Sequence, residues 1–141
     1  PEHEKKHKMV HNDSHKFESN FVSLEIPKNN SVMFGSLSGT KLGVWVAHGE
    51  GKFEFPYEEK EYNIIAKYNY DGYPANPNGS PWSVAGVCSK DGRHLAMMPH
   101  PERAIFPWQC GYYPADRKEN DEVTPWIEAF VNARKWIENN K

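Results

Sequence analysis

The run Leu42-Gly43-Val44-Trp45-Val46-Ala47 constrains the fold of this chain more than any other segment. A nearly unbroken apolar stretch of strand length has no polar face to offer water. It therefore reads as a central strand buried on both sides. It ends at His48-Gly49-Glu50-Gly51, where two glycines suit either a tight turn or a close backbone approach to a ligand. Shorter strands are predicted around it. Residues 17–26 alternate until Pro27 stops them. After the turn Pro27-Lys28-Asn29-Asn30-Ser31, residues 32–37 predict a second strand. Residues 57–62 suit one helical turn or a loop. Residues 64–70 predict a further strand, followed by a hairpin-type turn at Asp71-Gly72 and an ordered loop over 73–80, dense in Pro, Asn and Gly. Residues 84–88 and 95–98 are two short strands joined through Asp91-Gly92, the sequence of a tight hairpin.

One helix stands out, at residues 124–139. Thr124 is a good N-cap and Pro125 fits the first helical position. Trp126, Ile127, Phe130, Ala133, Trp136 and Ile137 recur at helical spacing on one face. The 141 residues amount to one domain, and the aromatic residues supply enough apolar surface for a core although only 38% of residues are hydrophobic. A formal net charge of −2 argues against a nucleic-acid partner or an anionic membrane. No apolar run approaches the ~18–20 residues of a membrane span. With two cysteines, no disulfide framework and no apolar leader, the cytoplasm is the expected location. Residues 1–16 form a polar lead-in, and a charged opening on Pro1 reads as a piece of something longer.

The residues able to carry chemistry lie at strand ends. His100-Pro101-Glu102 follows the strand at 95–98, so an imidazole and a carboxylate reach the rim of a sheet together. A carboxylate that binds one ring hydrogen fixes the tautomer and leaves the other nitrogen to move a proton. Such a pair still needs a nucleophile. Cys88 sits in an apolar strand, the setting of an inert small hydrophobe, and Cys110 sits in a loop. No phosphate-cradling glycine motif is present, so no ATP site is expected in this chain. His3, His7, His11 and His15 recur every four residues and would form a stripe on a helix. Asn12-Asp13-Ser14 reads as a cap or turn that breaks such a helix, and no metal is assigned.

Three motifs together carry a resemblance. Residues 46–51 (VAHGEG), 73–80 (YPANPNGS) and 97–103 (MMPHPER) stand in the order found in the phosphoribosylformylglycinamidine synthase family. Phe17-Glu18, Pro125-Trp126 and Asn132-Ala133-Arg134 are similar to that family too. The chain resembles the C-terminal part of its class I glutamine amidotransferase domain, in the large single-chain form of the enzyme. The resemblance implies an α/β fold: the C-terminal half of a flavodoxin-like amidotransferase domain, rich in antiparallel strands, with a C-terminal helix. It implies hydrolysis of glutamine to glutamate and ammonia. The ammonia would serve the ATP-dependent conversion of formylglycinamide ribonucleotide to formylglycinamidine ribonucleotide in purine biosynthesis. His100 and Glu102 match the His and Glu of the family's Cys-His-Glu triad. The Cys belongs to a Gly-rich elbow with no counterpart here, so this chain alone is expected to be inactive. His48, Gly49, Glu50 and Gly51 are expected to help bind glutamine. The implied partners are glutamine, the upstream half of the amidotransferase domain and a synthetase region that holds ATP and Mg; no cofactor is expected in this chain itself. Two other readings stay open: a non-catalytic module that docks a partner through Trp108, Tyr112 and Tyr113, and a metal-binding protein built on the histidine stripe.

Overall fold

The computed structural model describes residues 7–141. Among them, strands β2 (Glu18–Glu25), β3 (Lys41–His48), β5 (Asn63–Tyr68), β6 (Val84–Cys88) and β7 (Leu95–Met97) form one antiparallel sheet in the order β3-β2-β5-β6-β7. Strands β1 (Lys8–Val10) and β4 (Lys52–Glu54) pair separately. Helices α1 (Ala115–Lys118) and α2 (Ile127–Asn139) complete a mixed α/β, strand-rich architecture. β2 and β3 pair along eight residues each, whereas β2 meets β5 only at Leu24↔Tyr68 and Glu25↔Lys67. Register shifts around Ala66 add twist between β5 and β6. The sheet therefore curls until its two edges are bridged. The Met98 N–H donates to the Ala85 carbonyl, and two residues later the His100 N–H donates to the Trp45 carbonyl at 2.8 Å.

β3 is buried as its composition demands, yet it is the first strand of the sheet and not a central one. On one face Val44 and Val46 join Val22, Leu24, Phe34, Leu37, Trp126 and Ala129 in the core. On the other, Trp45 packs edge-on against Phe21 at 5.1 Å, and its indole N–H donates to the Gln109 carbonyl at 2.7 Å. Gly43 is required there, because a Cβ would lie 2.5 Å from the Phe21 ring. Two layers thus hide β3 without a strand on its outer side. That outer edge is closed by other donors: the His100 N–H on Trp45, and the Trp126 indole on the Gly43 carbonyl at 2.8 Å.

Residues 32–37 are not a strand. Ser31 and Asn29 capture the local backbone: the Ser31 N–H donates to Asn29 Oδ1 at 2.9 Å and the Gly35 N–H to the Ser31 carbonyl at 2.8 Å. The chain turns into a 3-10 segment at Gly35–Leu37. Asp71-Gly72 does not close a hairpin either. Residues 69–83 form a long ordered connection between β5 and β6, in which Asp71 accepts from the Ser83 hydroxyl at 2.6 Å. The hairpin between β6 and β7 forms as expected. The terminal helix starts three residues later than the 124–139 reading. Ile127, Glu128 and Ala129 donate to Thr124, Pro125 and Trp126, so the entry is a tight 3-10 turn. Thr124 keeps a capping role, since its hydroxyl oxygen accepts from the Trp126 N–H at 3.3 Å. The polar lead-in contains a strand, β1, and a wholly buried residue, Asn12.

Candidate active site

The crossing from β7 to β3 places the His and Glu. Pro101–Arg103 is a 3-10 turn entered from His100, and the Arg103 N–H donates back to the His100 carbonyl at 3.1 Å. That turn folds Glu102 over the preceding imidazole, and His100 Nδ1 lies 2.7 Å from Glu102 Oε1. A carboxylate only accepts, so Nδ1 carries the hydrogen of this bond. In the neutral ring Nε2 is then the basic nitrogen. Arg103 Nε lies 3.9 Å from the same carboxylate oxygen. The side chains of His100 and Glu102 are 29% and 54% exposed, so the pair is reachable from solvent. The backbone bond to Trp45 and the flanking prolines hold it at the edge of β3.

The His48-Gly49-Glu50-Gly51 turn leaves the end of the same strand. Its histidine faces inward: His48 is buried, and Asn78 Nδ2 lies 3.5 Å from its Nε2. Glu18 is its cross-strand partner and is buried with it. Glu18 Oε1 and His48 Nδ1 have no hydrogen-bond partner among the described residues. Gly51 lacks a side chain because the imidazole occupies that space; a Cβ there would lie 2.5 Å from His48 Nδ1. Glu50 points outward, 3.4 Å from His11. The glycine at 51 thus serves the packing of His48, a role the sequence pattern alone does not separate from ligand approach.

Burial pulls the His48 pKa below the usual histidine value; nearby His100 adds to this, while its own backbone and Glu18 oppose it. Below about pH 6.5 an unfolded histidine takes up a proton that folded His48 resists, so protons favour unfolding. Stability is expected to fall as pH drops from about 6.5 through the folded pKa. His48→Gln should flatten that fall in urea midpoints measured across the window. Identical pH dependence in the two proteins would rule His48 out as the source.

Neither cysteine is hydrogen-bonded to His100 or Glu102 among the described residues. Cys88 pairs with Leu95, at the far end of β7 from His100. Cys110 Sγ faces the carbonyls of Phe106 and Ala104 at 3.7 and 4.0 Å, and burial pushes its thiol pKa up, away from thiolate. The histidine stripe does not form. Residues 8–10 are a strand, His7 contacts Tyr62 at 3.0 Å, and His15 sits in a turn with φ of 56°. His3 lies outside the described residues. Among the described residues no group of three or more His, Cys, Asp or Glu could hold a metal ion. Of the aromatic trio, Trp108 and Tyr112 are exposed, but the Tyr113 hydroxyl is bound to Asp121 at 2.5 Å.

Similarity supplies the class of this curled antiparallel domain, that of the glutamine amidotransferases. The profile of CobB/CobQ-like glutamine amidotransferase domains matches residues 1–137, and the chain belongs to that family. The human phosphoribosylformylglycinamidine synthase is 43% identical over 140 residues, covering 91% of this chain and 10% of its own length. The Arabidopsis thaliana relative, a probable phosphoribosylformylglycinamidine synthase, is 43% identical over 145 residues, covering 94% of this chain and 10% of its own length. The chain thus spans about a tenth of the length of the curated relatives it matches. Among solved structures, PurLQS from Thermotoga maritima superposes with a TM-score of 0.71 at 25% identity, over 94% of this chain and 53% of that chain.

Proposed function

We propose that this chain is the dyad-bearing part of the glutaminase of a phosphoribosylformylglycinamidine synthase. The observation that carries the reading is the 2.7 Å contact between His100 Nδ1 and Glu102 Oε1. In this reading a Cys thiolate supplied by the upstream half of the domain attacks the side-chain amide carbon of glutamine. Protonated His100 gives its Nε2 proton to the departing ammonia as the C–N bond breaks and a thioester remains. His100 then takes a proton from the water that attacks the thioester; the C–S bond breaks, glutamate is released, and the thiolate and protonated His100 are restored. Glu102 holds the ring in the required tautomer and stabilises its cationic form. The ammonia would pass to a synthetase region, which would hold the ATP and Mg that the conversion of formylglycinamide ribonucleotide to the amidine requires.

Exposed aromatics on segments that adjoin β2 and β3 suit a partner segment. Phe17, Trp108 and Tyr112 are 68%, 74% and 74% exposed. Phe17 borders Gly49, Trp108 adjoins the Gln109 carbonyl that holds Trp45, and Tyr112 follows Gly111, which packs on Phe21. Large aromatics left open on the sheet that carries His100 suit the upstream half of the domain. The isolated chain is expected to release no glutamate from glutamine above background. Release by the isolated chain that disappears in His100→Ala would place the nucleophile at Cys88 or Cys110 and overturn this assignment.

A further inference from the structure

Asn12 reads from the sequence as a turn residue, yet it is wholly buried and its side chain is fully engaged with backbone. Its Nδ2 donates to the His48 carbonyl at 2.7 Å and to the Lys16 carbonyl at 2.9 Å, and its Oδ1 accepts from the Gly51 N–H at 3.0 Å. Its own N–H donates to the Gly49 carbonyl at 2.9 Å. The neighbouring Asp13 N–H donates to the Asn78 carbonyl at 3.2 Å. One residue thus grips both ends and the middle of the turn after β3, the lead into β2, and, through its neighbour, the loop over 69–83.

The identity of the side chain matters. Two donors and one acceptor are used at once, a combination only a carboxamide of this length provides here. Aspartate would keep the acceptor for Gly51 but set a charge against two carbonyl oxygens. Alanine would leave all three backbone groups without their partner.

The placement of that grip connects it to the chemistry. Trp45 holds His100, and His48 ends the same strand three residues later. The turn that Asn12 fixes and the dyad are therefore carried by one strand, whose edge and end define their relative position. We propose that Asn12 is a positioning residue of the glutamine site: it locks the His48–Gly51 turn in one backbone shape beside His100, so that glutamine meets a preformed wall. The inference rests on the glutaminase reading above. A preformed wall acts on substrate binding before it acts on bond breaking, which sets the signature to look for.

The experiment uses the full-length enzyme with Asn12→Ala, and with Gly51→Ala, which disturbs the same turn from the opposite side through the His48 ring. Steady-state kinetics are run with glutamine and, separately, with ammonium as the nitrogen source. Both variants are expected to raise KM for glutamine at least about tenfold, with kcat at saturating glutamine held within about threefold and the ammonium-driven rate unchanged. An unchanged KM in both variants overturns the proposal. So does a loss of glutamine-driven and ammonium-driven rates in equal proportion, the mark of a purely structural residue. If Asn12→Ala does not fold, Gly51→Ala decides by the same criteria. A wild-type enzyme that cannot use glutamine at all fails the glutaminase reading itself, a result separate from a wild-type enzyme that works and variants that match it.

Discussion

His100→Ala is expected to lower glutamine-dependent turnover of the full-length enzyme by at least about 10³-fold, close to 4 kcal/mol of transition-state stabilisation. The size follows from the two proton transfers assigned to one ring nitrogen. Without Nε2 the departing ammonia has no proton donor, and the water that cleaves the thioester has no base. Glu102→Gln is a milder cut at the same unit. Its amide oxygen can still accept from Nδ1–H, 2.7 Å away in the native pair, so the tautomer can survive. What is lost is the negative charge that stabilises the imidazolium. The expected loss is smaller than for His100→Ala and grows where the ring must be cationic. A Glu102→Gln variant at full activity would mean that the contact is structural. Neither variant should alter unfolding by much, because both side chains are partly exposed and neither belongs to the buried core.

Trp126→Ala should be the most damaging single change to the fold. Trp126 is the largest fully buried side chain, packs edge-on against Phe34 at 5.7 Å, and ties its indole to the Gly43 carbonyl at 2.8 Å. Truncating a buried tryptophan costs roughly 3–5 kcal/mol through lost transfer and the cavity left behind. Here the Gly43 carbonyl also loses its donor on the closed edge of β3. The urea midpoint should fall by a matching amount. Since β3 carries the backbone anchor of His100, glutamine-dependent activity should fall even where the variant still folds. A loss under about 1 kcal/mol would show that α2 is not a structural buttress of β3.

Much of this fold is legible in the sequence because periodicity reports burial. The alternation of β2, the apolar run of β3 and the Asp91-Gly92 hairpin all give the correct element. The apolar run misleads on position: β3 is covered by the core on one face and by the 109–111 loop over Trp45 and its β2 neighbour Phe21 on the other, with a strand along only one of its edges. Residues 32–37 look like a strand only if side-chain capture by Asn29 and Ser31 is ignored. The terminal helix shows a wide apolar face, but only Trp126 and Ala129 are fully covered, while Phe130 and Ile137 stay exposed. Periodicity marks a face without saying how much of it is covered.

The site divides the same way. His100 and Glu102 sit two residues apart, so a single turn suffices to join them and local sequence reveals the pair. The buried contacts of Asn12, Glu18 and Asn78 are not legible because their partners lie across the fold, at His48, Gly51 and Tyr68. The only local hint is polar residues beside buried strands, which is equally the mark of an ordinary turn. The role of Gly51 is hidden for the same reason: the imidazole that fills its place is three residues away in sequence but folded back over it.

The central claim is that His100 drives ammonia release from glutamine and nothing else in the pathway of nitrogen. The most direct measurement supplies nitrogen to the full-length enzyme either as glutamine or as an ammonium salt, in wild type and His100→Ala, and follows formation of the amidine product. The account predicts that His100→Ala loses the glutamine-driven reaction and keeps the ammonium-driven one. Equal rates with glutamine in the two proteins, or an ammonium-driven rate that falls as far as the glutamine-driven one, would contradict it.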